Sequence, residues 1–61
     1  MMDKKLLDVA EAAQMLGLGR SKTYDLVMSG LLRSLLIGRS RRIPLGAIDE
    51  FIETQLKEQA Q

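Results

Sequence analysis

The sequence predicts a mainly α domain with one small β-hairpin: three helices, with the hairpin between the second and the third. Three observations carry this. Apolar residues recur at helical spacing in three separate stretches. Gly17, Gly19 and Gly30 punctuate the first two stretches. Between them and the third stands Gly38-Arg39-Ser40-Arg41-Arg42-Ile43-Pro44, with a glycine at its head, cations in its middle and a proline at its foot.

Leu6-Leu7 is an apolar pair that suits a short strand or a core anchor. Asp8 followed three residues later by Glu11 has the spacing of a capping box, in which each side chain answers an orphan amide at a helix start. Val9, Ala12, Ala13 and Leu16 then follow the i, i+3, i+4, i+7 pattern of one buried helical face. Gly17 ends that helix, since glycine takes the left-handed cap conformation without a Cβ penalty. Leu18 is placed to plug the angle between two helices. Gly19 is the expected N-cap of a second helix from Arg20 to Ser29, and Gly30 is its stop. Thr23, Leu26 and Val27 would face inward, and Ser21, Lys22, Asp25 and Met28 outward, with Arg20 and Tyr24 at the edges. Two short helices joined by a glycine turn make a helix-turn-helix.

Leu35-Leu36-Ile37 reads as a strand with one face packed inward. Gly38-Arg39-Ser40 is turn material, and Arg41-Arg42-Ile43 returns antiparallel with Ile43 toward the core. Pro44 is expected to end the pairing, because it cannot donate to a ladder. Leu45, Ile48, Ile52 and Leu56, with Phe51 beside them, form the apolar face of a third helix, read as core. Asp49, Glu50 and Glu53 lie outside that face.

Sixty-one residues allow a single domain, here 1–61 with a core of 6–56 and frayed ends at 1–5 and 57–61. A chain of this size buries only about 60% of the surface its unfolded form exposes, so aliphatic packing must be efficient. Neither cysteine nor histidine is present, which excludes disulfides and the usual zinc ligand sets. No metal or cofactor is expected. Gly17-Leu18-Gly19 lacks the rest of a dinucleotide-binding fingerprint, and nothing supplies a nucleophile with a base, so an enzyme is not expected. No apolar run reaches the roughly 18 residues of a membrane helix, and no signal-peptide core follows the N-terminus. A cytoplasmic protein without a membrane partner is expected.

The formal net charge of +1 conceals a segregation. Residues 1–19 carry a net −1, residues 20–42 a net +5 and residues 43–61 a net −3. A basic middle between acidic flanks suits a domain with one face toward a polyanion. A helix-turn-helix followed by a hairpin outlines a winged helix, whose second helix enters the major groove of double-stranded DNA. Arg20, Ser21, Lys22, Tyr24 and Asp25 are the candidate contacts on that helix. Arginine suits guanine O6 and N7, and an acid can accept from cytosine N4 or hold Arg20 or Lys22 in place. Arg39, Ser40, Arg41 and Arg42 are the candidate wing contacts, reaching the backbone and the minor groove. Arg33 is a candidate for the DNA backbone, or a plain surface cation. Leu31 and Leu36 are read either as core, which is favoured, or as a patch for a protein partner.

These stretches resemble a known family. Leu6 to Leu18 is similar to the opening of the excisionase-family DNA-binding domain, a small relative of the MerR-type winged helix. Arg20-Ser21-Lys22-Thr23-Tyr24 is similar to its recognition helix, Ser29-Gly30-Leu31-Leu32 to the helix exit, Ile37 to Pro44 to its wing, and Ala47 to Ile52 to its closing helix. The resemblance covers residues 6 to 56. It implies sequence-specific duplex binding. It further implies a recombination directionality factor of a phage or mobile element, binding attachment-site DNA in several copies, bending it and assisting an integrase, a tyrosine or serine recombinase. A small transcription regulator is the alternative it leaves open; a protein-interaction module built on the acidic third helix is the remote one. Gly19 stands where many relatives have Ser or Thr, and Asp25 where many have a basic residue.

Overall fold

The computed structural model describes residues 4–60; the rest of the termini expected to fray, 1–3 and 61, lies outside the described residues. The chain runs β1 (Leu6–Leu7), α1 (Val9–Leu16), α2 (Arg20–Met28), β2 (Leu35–Ile37), β3 (Ser40–Pro44) and α3 (Leu45–Gln59). This is a winged helix-turn-helix: three helices and a three-stranded antiparallel sheet of order β1-β3-β2.

Local chemistry fixes α1 at both ends. Asp8 Oδ1 accepts from the Glu11 N–H at 2.7 Å, and the Asp8 N–H donates to Glu11 Oε1 at 3.0 Å, closing the capping box. Gly17 takes φ 70°, its N–H donates to Gln14 O, and the Leu18 N–H donates to Ala13 O at 3.0 Å, the paired bonds of a Schellman stop. Leu18 is exposed at the turn rather than enclosed between the helices. Gly19 caps α2 without a side-chain bond. The Thr23 hydroxyl donates to Gly19 O at 2.9 Å, so the one fully buried polar side chain among the described residues is satisfied.

Lys4 Nζ reaches Glu11 Oε2 at 2.7 Å. That bond, then the Asp8 amide, hold the Glu11 carboxyl below the ordinary glutamate range. A carboxyl more acidic in the folded than in the unfolded chain stabilises above the ordinary range, and that contribution is lost as pH falls through the lowered folded value. The thermal transition of Glu11→Gln should therefore lie below that of the parent at neutral pH and merge with it in acid. A constant gap from pH 7 to pH 2 would show that the charge is not what stabilises.

Leu7, Ala12, Val27, Leu32, Ile43, Ala47 and Ile48 form the core, with Val9, Leu16, Leu26, Leu45 and Phe51 packed around it. The sheet is larger than a hairpin because Leu6-Leu7 pairs with Pro44 and Ile43. Pro44 remains inside this ladder. The Leu45 N–H donates to Lys5 O at 3.0 Å, which makes Leu6↔Pro44 the alternate pair that exchanges no bond. The missing proline N–H faces the other side, beyond the end of β2.

Several apolar expectations need correction. Leu31 is 54% exposed, and Leu32 fills the core instead. Gly30, at φ 84°, reverses the chain so that the Leu32 N–H donates to Leu26 O. Leu36 is 60% exposed, and Leu35 and Ile37 are exposed too, because β2 pairs only with Ser40, Arg41 and Arg42, where no helix covers it. Ile52 and Leu56 are also exposed, since the core ends near Phe51. α3 nonetheless continues to Gln59, past the expected fraying point, with Gln59 Nε2 bonded to Gln55 Oε1 at 3.1 Å.

Candidate nucleic-acid interface

The outer side of α2 carries Arg20, Ser21, Lys22, Tyr24 and Asp25, all exposed. Thr23 and Val27 anchor the opposite side in the core, which fixes the rotation of the helix. Arg20, Ser21, Tyr24 and Asp25 line one shallow depression. Its chemistry is two donors that tolerate phosphate or base edges, a guanidinium, and one carboxylate. Among the described residues the ion pairs are Lys4–Glu11 and Arg33–Glu50. Asp25 thus holds neither Arg20 nor Lys22 and is exposed. No acid lies in the first turn of α2, and Gly19 offers its amides no side-chain acceptor. The weak cap therefore leaves N–H groups pointing outward beside Arg20 and Lys22, where an oxyanion can accept them.

The hairpin turn is Gly38-Arg39, and Ser40 already belongs to β3. Gly38 has φ 61° and Arg39 a negative φ, the pattern of a turn that puts glycine first and matches the twist of the strands. Arg39 is thereby held at the exposed tip. The pleat then separates its neighbours: Arg41 shares the face of buried Ile43, and Arg42 lies on the opposite face with Ser40. Arg41 Nη1 reaches Ser34 Oγ at 3.4 Å, a contact that residue types alone did not signal. Arg42 lies close enough to Glu11 to favour its ionised form. The three wing arginines therefore do not form one flat patch. They occupy the tip and the two faces of a ribbon.

Arg33 stands apart. Its Nη1 donates to Glu50 Oε2 at 3.0 Å across the loop to α3, with both groups solvent-exposed. Asp49, Glu50 and Glu53 are exposed on α3, outside its apolar face.

Residues 6–56 match the family described as helix-turn-helix domain. An excisionase of Streptomyces ambofaciens is 44% identical over 54 residues, covering 88% of this chain and 87% of that protein. The chain belongs to the excisionase family of helix-turn-helix DNA-binding domains. A protein named "Probable excisionase" from Saccharopolyspora erythraea is 52% identical over 58 residues, or 95% of this chain. The chain spans 59% of the length of that relative. No solved structure matches it. The excisionase-family match spans both α2 and the hairpin, so the two basic elements belong to the shared domain. Among the described residues, no helix is long and apolar enough to cross a membrane.

Proposed function

We propose that this excisionase-family chain is itself a recombination directionality factor: it binds attachment-site DNA, bends it and assists an integrase in excising a mobile element. The observation that supports this most is the pairing of an uncapped, basic α2 with a basic ribbon, in a chain that carries four of its eight acids on α3. Arg20 and Lys22 contact guanine or phosphate at the start of the recognition helix. Ser21 and Tyr24 donate to phosphate oxygens. Asp25, unpaired by its neighbours, accepts from cytosine N4 and contributes to sequence choice. Arg39 enters the minor groove, and Arg41 and Arg42, on opposite faces of the ribbon, each meet one wall of it. Arg33, already engaged with Glu50, is left outside the interface. The role is non-catalytic and cytoplasmic, and the protein partner is a tyrosine or serine recombinase.

Equilibrium binding to a duplex carrying the attachment site tests the reading. With four to six phosphates neutralised, log affinity should fall with log salt at a slope of about −4 to −5. A slope near zero, or no binding at low salt, overturns it. Footprinting with and without the integrase then separates excision from simple operator binding.

A further inference from the structure

The geometry points to a second binding site: the groove between the end of α1 and the last turns of α3 receives a cationic amphipathic helix of a partner protein. The groove measures about 460 Å³. Its walls are Met15, Leu16 and Leu18 on one side and Phe51, Ile52 and Leu56 on the other, where the mutually bonded Gln55 and Gln59 amides also line it. Leu16 and Phe51 form the floor, where they pack on the core. Met15 is 57% exposed and Leu56 61%, so the apolar stripe of α3 outlasts the core it serves. No residue of α2 or of the hairpin lines this groove, so a DNA-bound molecule keeps it open.

Charge decides which partner fits. Asp49 lies three residues before Ile52 and seven before Leu56, and Glu53 lies three before Leu56, so both carboxylates border that edge. Glu58, seven residues after Phe51 and three after Gln55, borders the other. Among the described residues none of these three acids is in an ion pair. Lys57 is two residues from both Gln55 and Gln59, about half a turn away, and faces off the groove. The carbonyl ends of α1 and α3 both lie beside it, adding partial negative charge. An apolar floor between carboxylate rims selects a helix with aliphatic anchors at i, i+3 and i+4 and lysine or arginine along its flanks. The chain's own cationic surfaces fit less well: α2 presents no continuous apolar stripe, and the hairpin is a ribbon.

The test uses the full chain and a labelled 14-residue helical peptide of leucine and lysine, followed by fluorescence anisotropy, with a leucine–glutamate peptide of the same pattern as control. The lysine peptide should bind and the glutamate peptide should not. Ile52→Ser with Leu56→Ser, both at exposed positions, should weaken binding by about tenfold or more while leaving duplex affinity unchanged. Glu53→Lys with Glu58→Lys should reverse the preference between the peptides. Equal binding of both peptides, or undiminished binding by either double variant, overturns the site. So does sedimentation showing that the native chain is a dimer and Ile52→Ser/Leu56→Ser a monomer, for then a second copy fills the groove.

Discussion

Replacing Arg39, Arg41 and Arg42 together with alanine should abolish duplex binding while moving the thermal transition little. Each arginine removed from a phosphate-lined groove makes the salt slope shallower by about 1, so the triple variant should lose most of its salt dependence. The affinity loss at moderate salt should be on the order of a hundredfold or more. Stability is a separate matter. Arg39 sits at an exposed tip, Arg41 makes only a long bond to Ser34, and Arg42 interacts with Glu11 through space. Surface groups of that kind change stability by roughly 0.5 kcal/mol each or less. A large loss of helical signal would instead mean that the hairpin holds the fold. The single variants sharpen the picture. Because Arg41 and Arg42 point to opposite faces, a ribbon that enters a groove edge-on loses contact when either is removed. A ribbon lying flat on the duplex would depend on one face alone.

That opposition of faces shows what residue order alone conveys. The presence of a basic hairpin follows from Gly38 and its arginines. Which way each arginine points requires the register, and the register depends on pairing Leu36 with Arg41 and Leu7 with Ile43. The second pairing joins residues far apart in the chain, and a two-residue strand has no periodicity of its own. Local features were readable for the converse reason. Asp8, Glu11 and Gly17 act within one turn of helix, so their roles follow from spacing. The choice between Leu31 and Leu32 did not, because it turns on the positive φ of Gly30 and on where the reversed chain lands. Helical spacing likewise shows that Ile52 and Leu56 share a side of α3 with Ile48. It does not show that the rest of the chain stops short of covering them. An apolar stripe longer than its core looks, in sequence, like more core.

Ile43→Ala should be the most damaging single change to the fold. Ile43 is fully buried in the central strand, paired with Leu7 on one side and packed into the same cluster as Leu32, Ala47 and Ile48. Truncating a buried isoleucine costs about 2–5 kcal/mol, and the stability of a chain this short is only roughly 3–9 kcal/mol. The transition should drop by at least about 10 °C in a circular-dichroism melt. Ile37→Ala, on the open strand, should move it by about 4 °C or less. Duplex binding is coupled to this loss, because Arg41 and Arg42 are presented only while Ile43 anchors β3. The two kinds of damage are separable. A stabilising osmolyte such as sucrose should restore duplex affinity to Ile43→Ala by refilling the folded state, and should do nothing for the triple arginine variant. If the osmolyte failed to restore binding to a refolded Ile43→Ala protein, the strand would be shaping the contact directly rather than merely holding it in place.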